Sequence, residues 1–504
     1  MDRRREGRER ARHVRRSRYP ARRGRCRVSA CAARRLTFLI GSAIFTALSI
    51  GPASAQEALV TAPVPTTPTA GEFTLAAVGD LIYLRPMLAT LEARSPDMLR
   101  LLRGADVTFG NFETTVLDLA TTKAVAQAES GGTWMLADPR VPDDVAALGF
   151  DIVSHANNHS TDWGVEGMAE TGRRLTDARL IWSGTGASLS AARAPRYIDV
   201  AKGRIGLVSA TSTFTPMSRA SDAAGEVAAR PGVNSIRTVR TALVTPEQLD
   251  VLAAIAAKSP LRTDGRSGEA VTLFGNRFAS GATSGKHLDY RYRINAGDLS
   301  ENLRAIRQAK QNGNFVIYSV HNHEPGNDFQ EPADFAVELA RKAIDAGADA
   351  YMGHGPHQLR GIEIYKGKPI FYSLGNFAMM NNSLDAVPAD MYDQFGVSPD
   401  SATVPELLQA RNARTFSDPN LYESVIALSR YSGGRLAEIK LYPIDLGVDV
   451  KGADRGVPRM AARAHGDKIL GRLQTLSAAL GTTIRIENGI GVIRVAPPTQ
   501  ASAK

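Results

Sequence analysis

Short apolar runs alternate along this chain with longer stretches in which apolar residues return every three or four positions. These are the two periodicities of buried strand and amphipathic helix. From Glu72 the pattern reads strand "EFTLAAVGD", helix "RPMLATLEARSPDMLRLLRGA" broken at Pro96, and strand "DVTFGNFE". A short helix "PDDVAALGF", a strand "DIVSHAN" and a helix "WGVEGMAETGRRLTDA" follow. Thr245, Pro246 and Gln248 make a capping box with proline at the first helical position, opening the helix "EQLDVLAAIAAK". Two further helix-to-strand units are "LSENLRAIRQAKQNG" into "NFVIYSVHNH" and "ADFAVELARKAIDAGA" into "DAYMGH". "IEIYKGKPIFYSL" reads as a hairpin turning at Lys366–Gly367, and "LYESVIALSRYSGGRLAEIKLYPIDL" as a later one. Strands alternating with helices predict a layered α/β fold. Two polar, Gly/Asn/Asp-rich insertions, 259–287 and 379–420, are expected as surface loops or lids. No internal repeat is evident.

Charge changes the picture at the N-terminus. The chain has 504 residues and a formal charge of +10, which on its face suggests an anionic partner. Residues 1–35, however, carry fifteen arginines against Asp2, Glu6 and Glu9, and 36–55 carry no charge. From Gln56 onward 46 basic face 48 acidic side chains, so no nucleic-acid partner is expected. The basic segment, the apolar run "LTFLIGSAIFTALSIG" and the small residues of "PASAQ" have the layout of an export signal cleaved after Ala55. Residues 1–55 are therefore expected to be a signal peptide and 56–71 a Pro/Thr/Ala-rich linker, with the protein exported to the periplasm or cell envelope. A folded domain should span 72–450, and 451–504 should form a helix-plus-hairpin appendix. Both cysteines, Cys26 and Cys31, fall in the leader, which excludes disulfides and thiolate chemistry beyond it.

Candidate chemistry gathers at predicted strand ends. Six of the nine histidines form three pairs: His155/His159, His321/His323 and His354/His357. Asp80, Asn111, Glu113, Asn157 and Asn158 occupy equivalent ends. Strand ends on one edge of a sheet converge, so these residues can line one oxygen- and nitrogen-rich pocket suited to Mn, Zn or Fe. Taken singly, each has a structural reading. Asp80 can turn the chain, Asn157, Asn158 and Asp162 can satisfy backbone donors, His155 at mid-strand can pack, and "GHGPH" can be a tight turn.

"AAVGDLI", "DVTFGNFETTV", "DIVSHANNHSTDWGVEG", "RPGVNSIR", "VIYSVHNHEPG" and "YMGHGPHQLRGIEIYKGKPIFYSLGNF" run in one order over residues 73–445. In this the chain resembles the CapA family, the poly-γ-glutamate capsule biosynthesis proteins. That family resembles the calcineurin-like metallophosphoesterases. The resemblance implies a two-sheet sandwich flanked by helices in α-β-β-α layers, with a dinuclear metal site built from five loops. It further implies Asp80, Asn111 or Glu113, Asn158, His321, His354 and His357 as metal ligands. His159 would protonate a leaving oxygen, and His323 would face the substrate and hold developing charge. Ile82 stands where the metallophosphoesterases carry a histidine and cannot ligate, so one of the two ions would have fewer ligands.

The function this implies is metal-dependent hydrolysis of a phosphoester or glutamyl amide during envelope polymer biosynthesis, with one or two divalent ions per chain. The substrate would be an anionic polymer or phosphoester, with envelope polymer-synthesis proteins as partners. The alternative is a non-catalytic accessory protein that binds or guides the anionic polymer. That role needs a cationic groove, for which Arg85, Arg360, Lys366 and Lys368 are the candidates.

Overall fold

The computed structural model describes residues 67–281 and 288–495; the leader and most of the linker lie outside them. Its organisation follows from the parity of a few strands. In Phe315–His321, Phe315 and Ile317 face a core between two sheets, while Val316, Tyr318 and Val320 face helices on the other side. In Ala350–His354, Ala350 and Met352 face the inter-sheet core and Tyr351 the helices. This is the two-residue alternation of a strand buried on both faces.

The larger sheet runs Arg485–Glu487, Ile490–Arg494, Arg435–Asp445, Glu423–Ser432, Glu72–Ile82, Val107–Phe112, Ile152–Ser154, Ile181–Ser183. The second runs Leu359–Tyr365, Lys368–Leu374, Ala350–His354, Phe315–His321, Gly203–Thr211, Arg196–Val200. Phe73, Leu75 and Phe109 of the first pack against Ile205, Ile317, Met352 and Phe371 of the second. Helices Leu88–Arg94, Pro96–Arg103 and Val141–Leu148 help cover the outer face of the larger sheet, and Ala296–Asn312 with Asp334–Ala346 cover that of the smaller. The result is the α-β-β-α layering that the resemblance implies. The helix expected to break at Pro96 is two helices, with Pro96 opening the second. The hairpin turns at Lys366 and Gly367, both with positive φ (51° and 74°), the backbone of a type I′ turn.

The two insertions are not loops. Within 259–281, Gly265–Ser267, Ala270–Leu273 and Asn276–Ser280 join Thr238–Val244 and Asp289–Ile294 in a separate five-stranded sheet. That sheet packs through Val271 and Leu273 against Leu249 of helix Pro246–Ala256, forming a small core of its own. Residues 379–420 form the helices Ala389–Phe395 and Val404–Thr415, seated by Met391, Leu407 and Leu408. At the C-terminal end, Ile469, Leu470 and Leu473 of helix Arg463–Ala478 enter the inter-sheet core, and Ile490–Arg494 pairs with Arg435–Asp445. This segment therefore completes the sandwich. Among the described residues no helix is long and apolar enough to cross a membrane.

Candidate metal centre

The parity that builds the inter-sheet core continues into the chemistry. After Phe315 and Ile317 the same face carries Ser319 and His321; after Ala350 and Met352 it carries His354, paired in register with His321. After Val107 and Phe109 it carries Asn111. The first strand would miss this face, since Phe73, Leu75 and Ala77 lie on it and Asp80 is out of phase. A bulge corrects the phase: Ala77 pairs with Phe109 but Asp80 with Asn111, one extra residue on the first strand. Gly79 sits in that bulge, where a Cβ would lie 1.8 Å from the Gly375 carbonyl oxygen, so only glycine allows the two chains to approach.

Asp80 is fully buried. Its Oδ1 accepts from Asn111 Nδ2 (2.8 Å) and its Oδ2 from the Gly355 amide (3.1 Å). His354 Nδ1 lies 3.8 Å from Oδ1, and His357 Nδ1 lies 3.6 Å from Oδ2. Glu113 faces the same space. Around its Oε1 stand Nε2 of His321 (3.7 Å), His159 (4.0 Å) and His357 (4.0 Å). The imidazoles are held from behind. Ser319 Oγ meets His354 Nε2 (2.6 Å), and Asn376 Oδ1 meets His357 Nδ1 (3.0 Å). Asp162 Oδ2 accepts from His159 Nδ1 (2.7 Å), and Asn327 Oδ1 accepts from His323 Nδ1 (2.8 Å). Such outer contacts set the tautomer and aim of a ligating ring.

The nine residues that the resemblance implies as ligands or proton carriers lie around this space, though not in equal positions. Asn111 turns its Nδ2 toward Asp80, so it orients a carboxylate instead of presenting an oxygen. Asn158 donates to the Gly131 carbonyl (2.6 Å), leaving its buried Oδ1 without a partner. His323 Nε2 lies 3.0 Å from His321 Nε2, in a group that can share an ion with Glu113 and His321. Its position therefore suits ligation as well as substrate contact. His155 is elsewhere, between Phe112 and Trp182, with Nδ1 on Thr185 Oγ1 (3.1 Å). Ser319, Asn376 and Asn327 were not anticipated. Ser319 alone was legible, two residues before His321 on the same strand face.

The cluster fits divalent cations. Three groups have ligand atoms within 4.8 Å of one another: Asp80/His321/His354, Glu113/His321/His323 and Asp80/Glu113/His357. Burial keeps three of the imidazoles neutral, as ligands must be: His354 is pushed down to about 4, His323 to about 3, and His321 well below the usual range. Burial would raise Asp80, but His357, His354 and the Asn111 N–H outweigh it and hold the carboxyl at about 2. Burial, and then the Asp80 charge, push Glu113 well above its ordinary range. Glu113 Oε1 is also a buried acceptor with no donor. A cation held by Glu113 and its imidazole neighbours removes both anomalies. The set is all nitrogen and oxygen, which suits Mn, Zn or Fe.

Above the cluster is a cavity of about 140 Å³ lined by Ile82, Asn158, His159, His323, His357 and cap residues including Arg411 and Phe416. A groove of about 610 Å³ around Asp349 and Lys368 is larger but contains no imidazole. The cations expected at the mouth serve elsewhere. Arg360 is fully buried and donates to the carbonyls of Glu324 and Gly326, bracing the loop after His323. Lys366 pairs with Asp345, Lys368 with Asp349, and Arg85 reaches Ser383 and Ala453.

Fold and site together define an α-β-β-α protein with a buried histidine–carboxylate centre whose ligand atoms could hold a metal ion. Residues 74–381 match the family Bacterial capsule synthesis protein PGA_cap, and this chain belongs to that family. The uncharacterized protein y4sH of Sinorhizobium fredii is 45% identical over 84% of this chain and 93% of the relative. The PGA biosynthesis protein CapA of Bacillus subtilis is 27% identical over 60% of this chain and 61% of its own length. The capsule biosynthesis protein CapA of Bacillus anthracis is 24% identical over 61% and 59%. A solved structure of a novel phosphatase from Mycoplasma pneumoniae aligns over 74% of this chain and 94% of its own, at 9% identity and a TM-score of 0.35, too distant to bear on the site.

Proposed function

We propose that this protein is a metal-dependent hydrolase of an acidic polymer or its phosphoester precursor, working in capsule or poly-γ-glutamate biosynthesis after export to the cell envelope. The observation that carries the reading is the unpartnered Glu113 Oε1 facing three imidazoles beneath a cavity. The names of the two Bacillus relatives, both capsule or PGA biosynthesis proteins, support the polymer, and the arginine-rich and apolar N-terminal segment supports export.

Divalent cations in such a site lower the pKa of bound water from ~15.7 towards ~7 and polarise a phosphoryl or carbonyl oxygen. This chain's own residues do the rest. Asp162 fixes His159 by its Nδ1, so His159 Nε2 points into the cluster, where it can pass a proton to a leaving oxygen or nitrogen. Asn327 fixes His323 in the same way beside the cavity. Ile82, Met135 and Phe416 restrict water around the reacting group.

Elemental analysis of the purified protein, as isolated and after dialysis against manganese or zinc, tests the reading. One or two ions per chain are expected, with loss in the His354→Ala/His357→Ala double variant and in Glu113→Gln, followed by turnover of a phosphoester or γ-glutamyl substrate. Wild-type protein without stoichiometric metal would refute the hydrolase and leave anionic-polymer binding as the function.

A further inference from the structure

Arg411, on the cap helix Val404–Thr415, is 1% exposed and lines the cavity with His159, His323 and His357. Its guanidinium lies 4.8 Å from the centre of the Phe416 ring, and that ring lies 6.4 Å from the His357 imidazole on its way to the cluster. The polar contacts of Arg411 are with a single residue: Nη2 to Asn381 Oδ1 (3.1 Å) and Nη1 to the Asn381 carbonyl (3.4 Å). Among the described residues no carboxylate pairs with it, and its Nε is a buried donor without an acceptor. Asn381 Nδ2 beside it is a second such donor.

A guanidinium removed from water without a counter-charge is costly, and replacing it with an apolar residue would ordinarily stabilise the fold. An arginine at this place is therefore poorly explained by stability. It is explained by a ligand. The fork of a guanidinium matches a carboxylate or a phosphoryl oxyanion with two parallel hydrogen bonds. Among the described residues that line the cavity, Arg411 is the only arginine or lysine. The cavity of about 140 Å³ has room for a small acidic moiety, such as a single acidic unit of a polymer or a phosphoryl group.

We propose that Arg411 is the specificity-determining residue of this site, binding the carboxylate or oxyanion of the substrate that lies one aromatic ring away from the bond held over the histidine–carboxylate cluster. The proposal rests on the hydrolase reading and adds its substrate rule: an acidic group must flank the scissile bond. It also gives the cap a role, since the recognising charge arrives on an element separate from the strands that carry the cluster.

The test uses full-length manganese-loaded protein titrated calorimetrically with two probes, inorganic phosphate and the dipeptide γ-glutamyl-glutamate. Wild type is expected to bind at least one of them. Arg411→Met should weaken that binding ten- to a hundredfold while manganese stoichiometry stays unchanged. Arg411→Lys keeps the charge but loses the fork. It should fall between the two, and it guards against a folding defect in the methionine variant. The probe that loses affinity identifies the group as carboxylate or phosphoryl. Wild-type affinity in both variants, or no binding of either probe to metal-loaded wild type, overturns the proposal. Manganese bound with anion affinity untouched sinks Arg411 alone, whereas failure to bind manganese sinks the hydrolase reading.

Discussion

Two histidines four residues apart in sequence show how far residue type falls short of role. His159 and His155 both follow or end the strand Ile152–Ser154, yet one faces Glu113 and the other sits between two aromatic rings. Burial holds His155 down to about 4, and its Nε2 has no partner. The sign follows from linkage. With the folded value near 4 and the unfolded one near ~6.5, the unfolded chain binds the proton first as pH falls. The stability His155 contributes is complete above ~6.5 and is lost progressively down to about 4, a loss of about 3 kcal/mol. His155→Phe should therefore flatten the urea-unfolding free energy against pH across this window. Parallel wild-type and variant curves would show that the imidazole is not what titrates. Arg360 is the converse case. A charged residue next to the "GHGPH" turn reads as a surface cation, but the carbonyls of Glu324, Gly326 and Phe329 in the loop after His323 enclose it, and nothing local to its sequence announces that loop.

At the scale of elements, the strands were the most legible part, because each carries a local two-residue pattern that needs no partner to be seen. The bulge that rotates Asp80 onto the inter-sheet face was not legible, since it exists only relative to the neighbouring strand Val107–Phe112. Of the two insertions expected as loops or lids, 379–420 does cover the site, while the sheet within 259–281 escaped notice for a related reason. Strands as short and polar as Gly265–Ser267 and Asn276–Ser280 show no run; the second is held by Thr238–Val244, well separated in sequence, and the first joins the sheet only through Ala270–Leu273. The helix Arg463–Ala478 was expected as part of an appendix but packs Ile469, Leu470 and Leu473 between the sheets. Leu473→Ala should accordingly cost about 2–5 kcal/mol, as in a core, measured by chemical unfolding of the full chain. A cost near zero would mean that this helix only rests on the surface.

Across the whole molecule, the centre joins residues from six separate segments of chain between Asp80 and Asn376, so metal binding and global folding are linked. Ions that bind only the folded state should stabilise it by about 2.7 kcal/mol at a hundredfold excess over Kd. Removing metal with a chelator should lower Tm by several degrees, and manganese should restore it; in Glu113→Gln neither treatment should matter as much. An unchanged wild-type Tm would argue that the cluster binds no ion tightly. The sequence by itself determined the α/β class, the order of strands and helices, the near-neutral charge of the chain from Gln56 onward, and the strand-end histidines and acids, because periodicity, charge and spacing are local properties. Only the tertiary structure decided that Asn111 orients a carboxylate, that Glu113 Oε1 stands unpartnered among imidazoles, and that a buried Arg411 roofs the site. Those outcomes depend on strand order, one bulge and the seating of a cap, and each is a relation between segments distant in the chain.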